Sequence, residues 1–405
     1  MNPFIRLGYL SSSCKLSFKF ITSLSQVNAA DWNAVTGCDG RGYPFTRYEF
    51  LQALELSGAV GCLNNQNTGW QPRHLLVYQD TDLIAVMPAY LKHHSYGEYV
   101  FDHAWADAYH RYGKAYYPKL VTAIPFSPVS GPRICIAEGQ DQQKINAAIG
   151  DHIKEYCIQE KLSSWHLLFP TEAFSNQLTA VFMQRTAVHF QWLNEGFTNF
   201  EDFLATFSSR KRKNLKKERQ QVIDQGITLE VFTGRDIPPE IWEQFYHFYQ
   251  MTYAKRSGHG GYLSKAFFQT LAETMPESIV LVLAKHEGEY IAGALNFRDR
   301  DTLYGRYWGC VQEFKHLHFE TCYYQGIDYC IREGLKRFDP GVQGEHKIQR
   351  GFRPVYTYSN HWIAEPGFRD PIKNFLIEEK TSLQSYHASA CEYLPFKAPQ
   401  SSNKT

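Results

Sequence analysis

The chain has 405 residues, of which 43% are hydrophobic, 20% charged and 15% aromatic. That composition excludes disorder over most of the length, and the length favours two domains. With 42 basic and 41 acidic residues the net charge is +1, so only local patches bear on polyanion binding.

No run of about 18 apolar residues occurs, and no membrane-spanning helix is expected. The cysteines, among them Cys14, Cys38, Cys62 and Cys135, form no CxxC pair and are odd in number. That argues against a disulfide framework and for a reducing, cytoplasmic setting. The first thirty residues carry no acid and three bases, Arg6, Lys15 and Lys19, a pattern shared with organellar transit peptides. Against that reading, Leu16, Phe18 and Phe20 alternate with Ser17 and Lys19 as a first strand, leaving 1–14 as a disordered leader.

Further along, helices are predicted over 46–57, 201–225, 238–254 and 264–274, the second stopping at Gly226. Ile145, Ala148, Ile149, Ile153, Tyr156 and Cys157 make one apolar helix face. Val188–Leu193 and the set Ile227, Leu229, Val231 alternate as strands. A polar tail follows residue 395.

Self-similarity organises these elements. Leu75-Leu76-Val77, a turn at 80–82 and Ile84-Ala85 recur as Leu281-Val282-Leu283, a turn at 287–289 and Ile291-Ala292, two predicted β-hairpins. Tyr96-Gly97-Glu98-Tyr99 recurs as Tyr304-Gly305-Arg306-Tyr307, read as a strand in both places. The helical run 155–162 recurs as 328–335, and each copy precedes a short strand, Trp165–Phe169 and Arg337–Phe338. The order predicts an α+β, mixed α/β fold used twice through an internal duplication. The units are 15–190, with an insertion at 102–137, and 191–395, with a tail at 396–405.

The strand, helices, meander, helix, strand order resembles the GNAT acyltransferase domain, and two in tandem resemble the FemAB-like peptidyltransferases. Particular runs strengthen the resemblance to predicted N-acyltransferases of that group: His103-Ala-Trp-Ala-Asp-Ala-Tyr109, Tyr117-Pro118-Lys119, 125–133, Ser209-Arg-Lys-Arg212 and 344–351. The resemblance implies transfer of an activated acyl or aminoacyl group to an amine acceptor. It implies no tightly bound cofactor, a donor such as aminoacyl-tRNA, and a small-molecule or cell-wall-precursor acceptor. The (Q/R)-x-x-G-x-(G/A) loop with which GNAT domains hold the acetyl-CoA pyrophosphate is missing, so acyl-CoA is the less favoured donor. Two alternatives stay open: a CoA-dependent enzyme with an altered loop, and a non-catalytic RNA- or phosphate-binding protein on the same fold.

The strongest candidate site is 338–352, where three glycines allow close backbone approach to a ligand and Glu345, His346, Lys347 and Arg350 gather four ionisable groups. The FemAB-like F-K-x-x-F-G motif matches here at Lys347 and Gly351, with His346 and Arg350 in place of its phenylalanines. Lys347 is assigned the oxyanion, His346 or Glu345 the base, and Arg350 an anionic substrate group, against the alternative of a salt-bridged turn. Tyr304, Arg306, Tyr307 and Glu320 join them as substrate-binding residues; for Glu320 a helix-dipole role competes. The 102–137 segment, with His103, Trp105, Tyr109 and Lys119, reads either as a substrate groove or as a self-packed loop.

Seven of the twelve residues 208–219 are basic. Arg210, Arg212, Lys213 and Lys217 are candidates for phosphate or tRNA, with a solvated cationic helix as the alternative. His93-His94 and His316-x-His318 lack metal-ligand spacing to further ligands, and no metal is expected.

Overall fold

The structure is a computed structural model that describes residues 15–397 apart from 38–41, 64–65, 259 and 343. The leader 1–14 and the tail beyond 397 lie outside the described residues.

The alternating run forms the strand Leu16–Ile21, antiparallel to His74–Gln79. Phe18 stacks on His152 and Phe20 packs at a tilt on Tyr156, both of the helix Gln142–Gln159, at 4.3 and 4.2 Å between ring centroids. Both predicted hairpins form, His74–Gln79 with Asp82–Met87 and Ile279–His286 with Glu289–Arg298. They turn at Asp80 and Glu287, whose φ values of 55° and 51° are left-handed. Their registers slip at matching places, between Val77 and Tyr78 and between Ala284 and Lys285. A one-residue slip turns a strand over, so a shared slip keeps the same face inward in both hairpins.

The first hairpin belongs to a four-stranded sheet with Leu16–Ile21 and Cys135–Ile136. The second belongs to an eleven-stranded sheet that starts at the edge strand Ile227–Thr233 and runs across both halves of the chain. At its centre Met183–Leu193 pairs antiparallel with Arg353–Ile363 and, at its far end, with Arg337–Asp339. Arg353–Ile363 in turn pairs with Ser164–Leu168. The two halves thus exchange strands, and the 190/191 division falls inside one strand.

Several expected elements change. Residues 96–99 form a turn, with Gly97 and Tyr99 at φ 79° and 59°, and the strand in that place is Tyr90–Lys92. Its counterpart does lie in a strand, Thr302–Cys310. The helix read over 201–225 is two, Phe200–Ala205 and Ser209–Asp224, because Phe207 leaves the helical path to bridge Phe396. The 102–137 segment is more than a connection. It holds the helix His103–Arg111 and the strand Lys119–Thr122, which lies parallel to Ser164–Leu168.

The high aromatic content fills the join between halves. Phe45 packs on Phe297 and Tyr304 at 5.4 and 5.2 Å, and Phe50 packs on Phe267 at 5.7 Å. Each is an edge-on contact of the kind worth about 0.5–1.5 kcal/mol beyond burial. No helix among the described residues is long and apolar enough to cross a membrane.

Candidate active site

A cavity of about 750 Å³ lies where the halves meet. Its floor is the pair Glu289–Arg298 and Thr302–Cys310, which slips register between Leu295 and Asn296. Leu295 faces Tyr307 and Asn296 faces Gly305, so Arg306 is the extra, unpaired residue. A bulge re-aims its side chain, and the Arg306 side chain lines the cavity. The helix Ile241–Ser257 forms one wall with Tyr253 and Arg256. It packs so closely that a Cβ at Gly309 would lie 2.0 Å from the Phe248 carbonyl oxygen. Tyr99 and Phe126 from the first half form another wall.

The last wall is the segment from Pro340 to the 3₁₀ turn Glu345–Arg350. It starts at Asp339, the end of a strand, and winds through Gly341 and Gly344 at φ 93° and 110°. A side chain at Gly344 would meet the His346 ring, at 2.1 Å, so only glycine fits this turn.

Lys347 is 1% exposed, and its Nζ donates to the Gly341 carbonyl. Burial pushes its pKa down to about 7; Asp339 opposes the shift and Arg306 adds to it. Asp339 is itself held, accepting from the Gly341 N–H at 3.0 Å and from Gln191 Nε2 at 3.2 Å. Arg306 Nη2 stands 3.7 Å from Asp339 Oδ1. At the cavity mouth His346 Nε2 meets the Tyr323 hydroxyl at 2.9 Å. Burial, helped by Arg350 and Lys347, pushes its pKa down to about 4, so the ring is neutral at pH 7. Three cations, Arg256, Arg306 and Lys347, line the cavity, and among the described residues no carboxylate does.

Residues 23–398 match the FemAB-like family, described for peptidoglycan biosynthesis and recognition. The chain belongs to the FemAB-like family. Its fold resembles that of FemX, at 14% identity and a TM-score of 0.51 over 86% of this chain and 98% of FemX. It also resembles a C-terminal domain named for lysylphosphatidylglycerol synthetase from Agrobacterium fabrum, at 9% identity and a TM-score of 0.50 over 88% and 98% of the two chains. A tandem GNAT protein from the clavulanic acid biosynthesis pathway aligns at 9% identity and a TM-score of 0.44 over 87% and 99%. No curated protein matches the sequence. The architecture is a mixed α/β fold like that of FemX, and the FemAB-like chain is an acyltransferase.

In this FemAB-like protein the cavity gathers His346, Lys347, Arg306 and Tyr307 from the residues singled out in the sequence. Others lie elsewhere. Glu345 is exposed and accepts from the Tyr386 hydroxyl at 2.8 Å. Arg350 points away from the cavity, pairs with Glu218 at 2.8 Å and lies 3.4 Å from the Phe319 ring centroid. Glu320 takes a 2.9 Å ion pair from Arg219, and Tyr304 donates to Asp299 at 2.7 Å within the core. His103 is exposed. Trp105 and Tyr109 are sealed under Phe368 and Ile372 of the C-terminal helix Pro366–Glu392, and Lys119 is wholly buried. No groove opens over Trp105 and Tyr109, because a helix more than two hundred residues later covers them, whereas Phe126 near the end of the same segment lines the cavity. Arg210, Lys213 and Lys217 are exposed and Arg212 half-buried on Ser209–Asp224, outside the cavity.

Sequence reasoning missed Arg256, Asn296 and Asp339. Arg256 opens the glycine-rich run 256–260, whose glycines do not have the spacing of the pyrophosphate loop. Asp339 lies within the candidate run 338–352 but was assigned no role there.

Proposed function

We propose that this FemAB-like protein is an N-acyltransferase that moves an activated aminoacyl group onto an amine. The observation that carries the reading is the buried, sparsely partnered Lys347 ammonium, which opens on a cavity lined by cations without a carboxylate. An amine entering such a field is disfavoured as ammonium, because nearby like charge lowers its pKa. It therefore enters as the neutral nucleophile.

Its nitrogen forms a bond to the ester carbonyl carbon, the carbonyl π electrons move to oxygen, and Lys347 faces the oxyanion. Collapse breaks the bond to the leaving oxygen, and the proton lost by the amine neutralises that oxygen. His346 at the mouth and His318 in the lining are neutral bases of the cavity, both weak because burial pushes their pKa down, to about 4 and about 3. Donor and acceptor are held by the walls, so positioning supplies much of the rate.

The donor in this reading is aminoacyl-tRNA, whose phosphates meet Arg210, Lys213 and Lys217. The acceptor is a cell-wall precursor or a smaller amine, no cofactor stays bound, and the site of action is cytosolic. Incubation with radiolabelled aminoacyl-tRNA, and separately with acyl-CoAs, tests it. Transfer from the tRNA ester that is lost in Lys347→Met is expected. Transfer from acyl-CoA alone, or tRNA binding with no turnover on any amine, would overturn it.

A further inference from the structure

Buried guanidinium groups normally have their five N–H donors paired. Arg306 does not. Its side chain is 3% exposed, yet Nε and Nη2 find no hydrogen-bond partner. Asp339, the nearest carboxylate, stands 3.7 Å from Nη2, beyond hydrogen-bond reach. It already accepts from Gly341 and Gln191. The same Asp339 is also the counterion of Lys347. Two buried cations thus share one carboxylate, and the uncompensated one carries unused donors.

The backbone around Arg306 leaves room for a ligand. The bulge puts Arg306 out of the strand pairing, and a Cβ added to Gly341 would come to 3.5 Å from Nη2. Glycine at that point keeps the guanidinium edge clear on the side of the cavity. Tyr307 adds a buried side chain to the same lining.

We propose that Arg306 is the receptor for an oxyanion carried by a substrate, a carboxylate or a phosphate, which docks on its Nε and Nη2 edge. The assignment rests on the acyl-transfer reading of the same cavity and adds the substrate class: a molecule with an anionic group and a body that packs on aromatic rings. Arg306 is then a specificity residue. A fork of two N–H donors suits the two oxygens of a carboxylate or phosphate, whereas a neutral amide offers only one acceptor oxygen and no charge. The incoming anion also restores the charge balance around Lys347, favouring its charged form when the oxyanion develops.

The test is binding to the full chain without any acyl donor. Benzoate, phenyl phosphate and benzamide share a ring and differ in charge; Trp308 in the cavity wall reports occupancy by fluorescence. At least one of the two anions should bind about tenfold or more tighter than benzamide, the size expected of hydrogen bonds to a charged group. The ranking of benzoate against phenyl phosphate tells which source of oxyanion fits. The anion should also raise the melting temperature of the wild type where benzamide does not.

Arg306→Gln should erase the preference. If that variant fails to fold, Arg306→Lys keeps the charge beside Asp339 but loses the fork, and it should lose most of the preference. Equal binding of all three probes, binding of none of them, or a preference that survives in Arg306→Gln or is undiminished in Arg306→Lys would overturn the assignment. Failure of acyl transfer with this binding intact would remove the enzymatic reading alone. Acyl transfer without any anion preference would remove the Arg306 assignment alone.

Discussion

The first half of the chain buries Lys92 and Lys119 in its strands and the second half buries Lys347, and Lys119 and Lys347 have opposite surroundings. Lys119 is 0% exposed, and its three donors reach Ser95 at 2.9 Å, Glu98 at 2.8 Å and Asp102. Behind them Tyr116 donates to Asp102 and meets His166, which meets His361 in turn. Lys347 is as deeply buried, but a single carbonyl accepts from it and no carboxylate touches it. Burial lowers the pKa of both. Glu98 and Asp102 outweigh it at Lys119, whose pKa rises, while Lys347 falls to about 7. A cation with every donor used belongs to the fold. A cation left short, at a cavity, is held ready for a ligand.

The contrast between the two lysines can be broken most visibly at Lys119. Lys119→Met strands two carboxylates in a closed core, and loss of one partner from a buried network typically removes about 3–5 kcal/mol. Urea denaturation should show a loss of that order, with anion binding by the remaining folded molecules unchanged. Normal stability with lost substrate binding would restore the groove reading of 102–137 and end the distinction between the two lysines.

Lys347→Met should act on rate. Removing an oxyanion partner typically costs about 10²–10³ in kcat, with little change in KM. Stability carries a second signature. The folded-state pKa of Lys347, about 7, lies below that of a free lysine, near 10.4. Between those values the unfolded chain binds more protons, so stability rises as pH increases through the window. Lys347→Met removes that part of the rise. Lys92, also pushed down to about 7 by burial, keeps its own contribution, so the slope should drop without vanishing. An unchanged slope in thermal melts from pH 7 to pH 10 would mean that Lys347 is not depressed.

Much of this was legible locally. Hairpins announce themselves by alternation and turn residues, and the Glu345–Arg350 turn by its glycines and charges. What was not legible depends on partners far away in sequence. The cover over Trp105 and Tyr109 comes from Phe368 and Ile372, and the partner of Arg350 is Glu218. In place of a salt-bridged turn, the Lys347 ammonium is buried against the Gly341 carbonyl, so the stability of Lys347→Met becomes pH-dependent. Arg256 reached the cavity only because Gly309 lets its helix press against the strand. No local pattern encodes such packing.

Arg350→Lys gives a smaller effect of a different kind. From the sequence it should raise KM by losing a bidentate grip on substrate. In the structure the fork is used on Glu218, with Phe319 beneath the guanidinium. Lysine keeps the charge and loses the fork and the stacking, so a loss of about 1–2 kcal/mol in stability is expected, with KM unchanged. A raised KM in a fully stable variant would return Arg350 to the substrate.

The smallest effects belong to the helix Ser209–Asp224, where the contrast between paired and unpaired cations moves to the surface. Lys211 meets Gln349 and Lys216 meets Glu201, while Lys213 and Lys217 stand exposed with no ion pair among the described residues. Removal of a solvated charge there should change stability by no more than about 0.5 kcal/mol. Unpaired charge on the surface is a weaker sign of a ligand than unpaired charge in a cavity, because water satisfies it. The discriminating quantity is therefore salt dependence. If these lysines meet tRNA phosphates, the Lys213→Ala, Lys217→Ala double variant should lower the slope of log affinity against log salt by about one unit for each phosphate no longer neutralised. Lys216→Ala, which removes a paired charge, should leave that slope nearly as it was. Equal slopes in all three proteins would make the helix a solvated face and leave the cavity, of the two regions, as the one where unpaired cations await an anion.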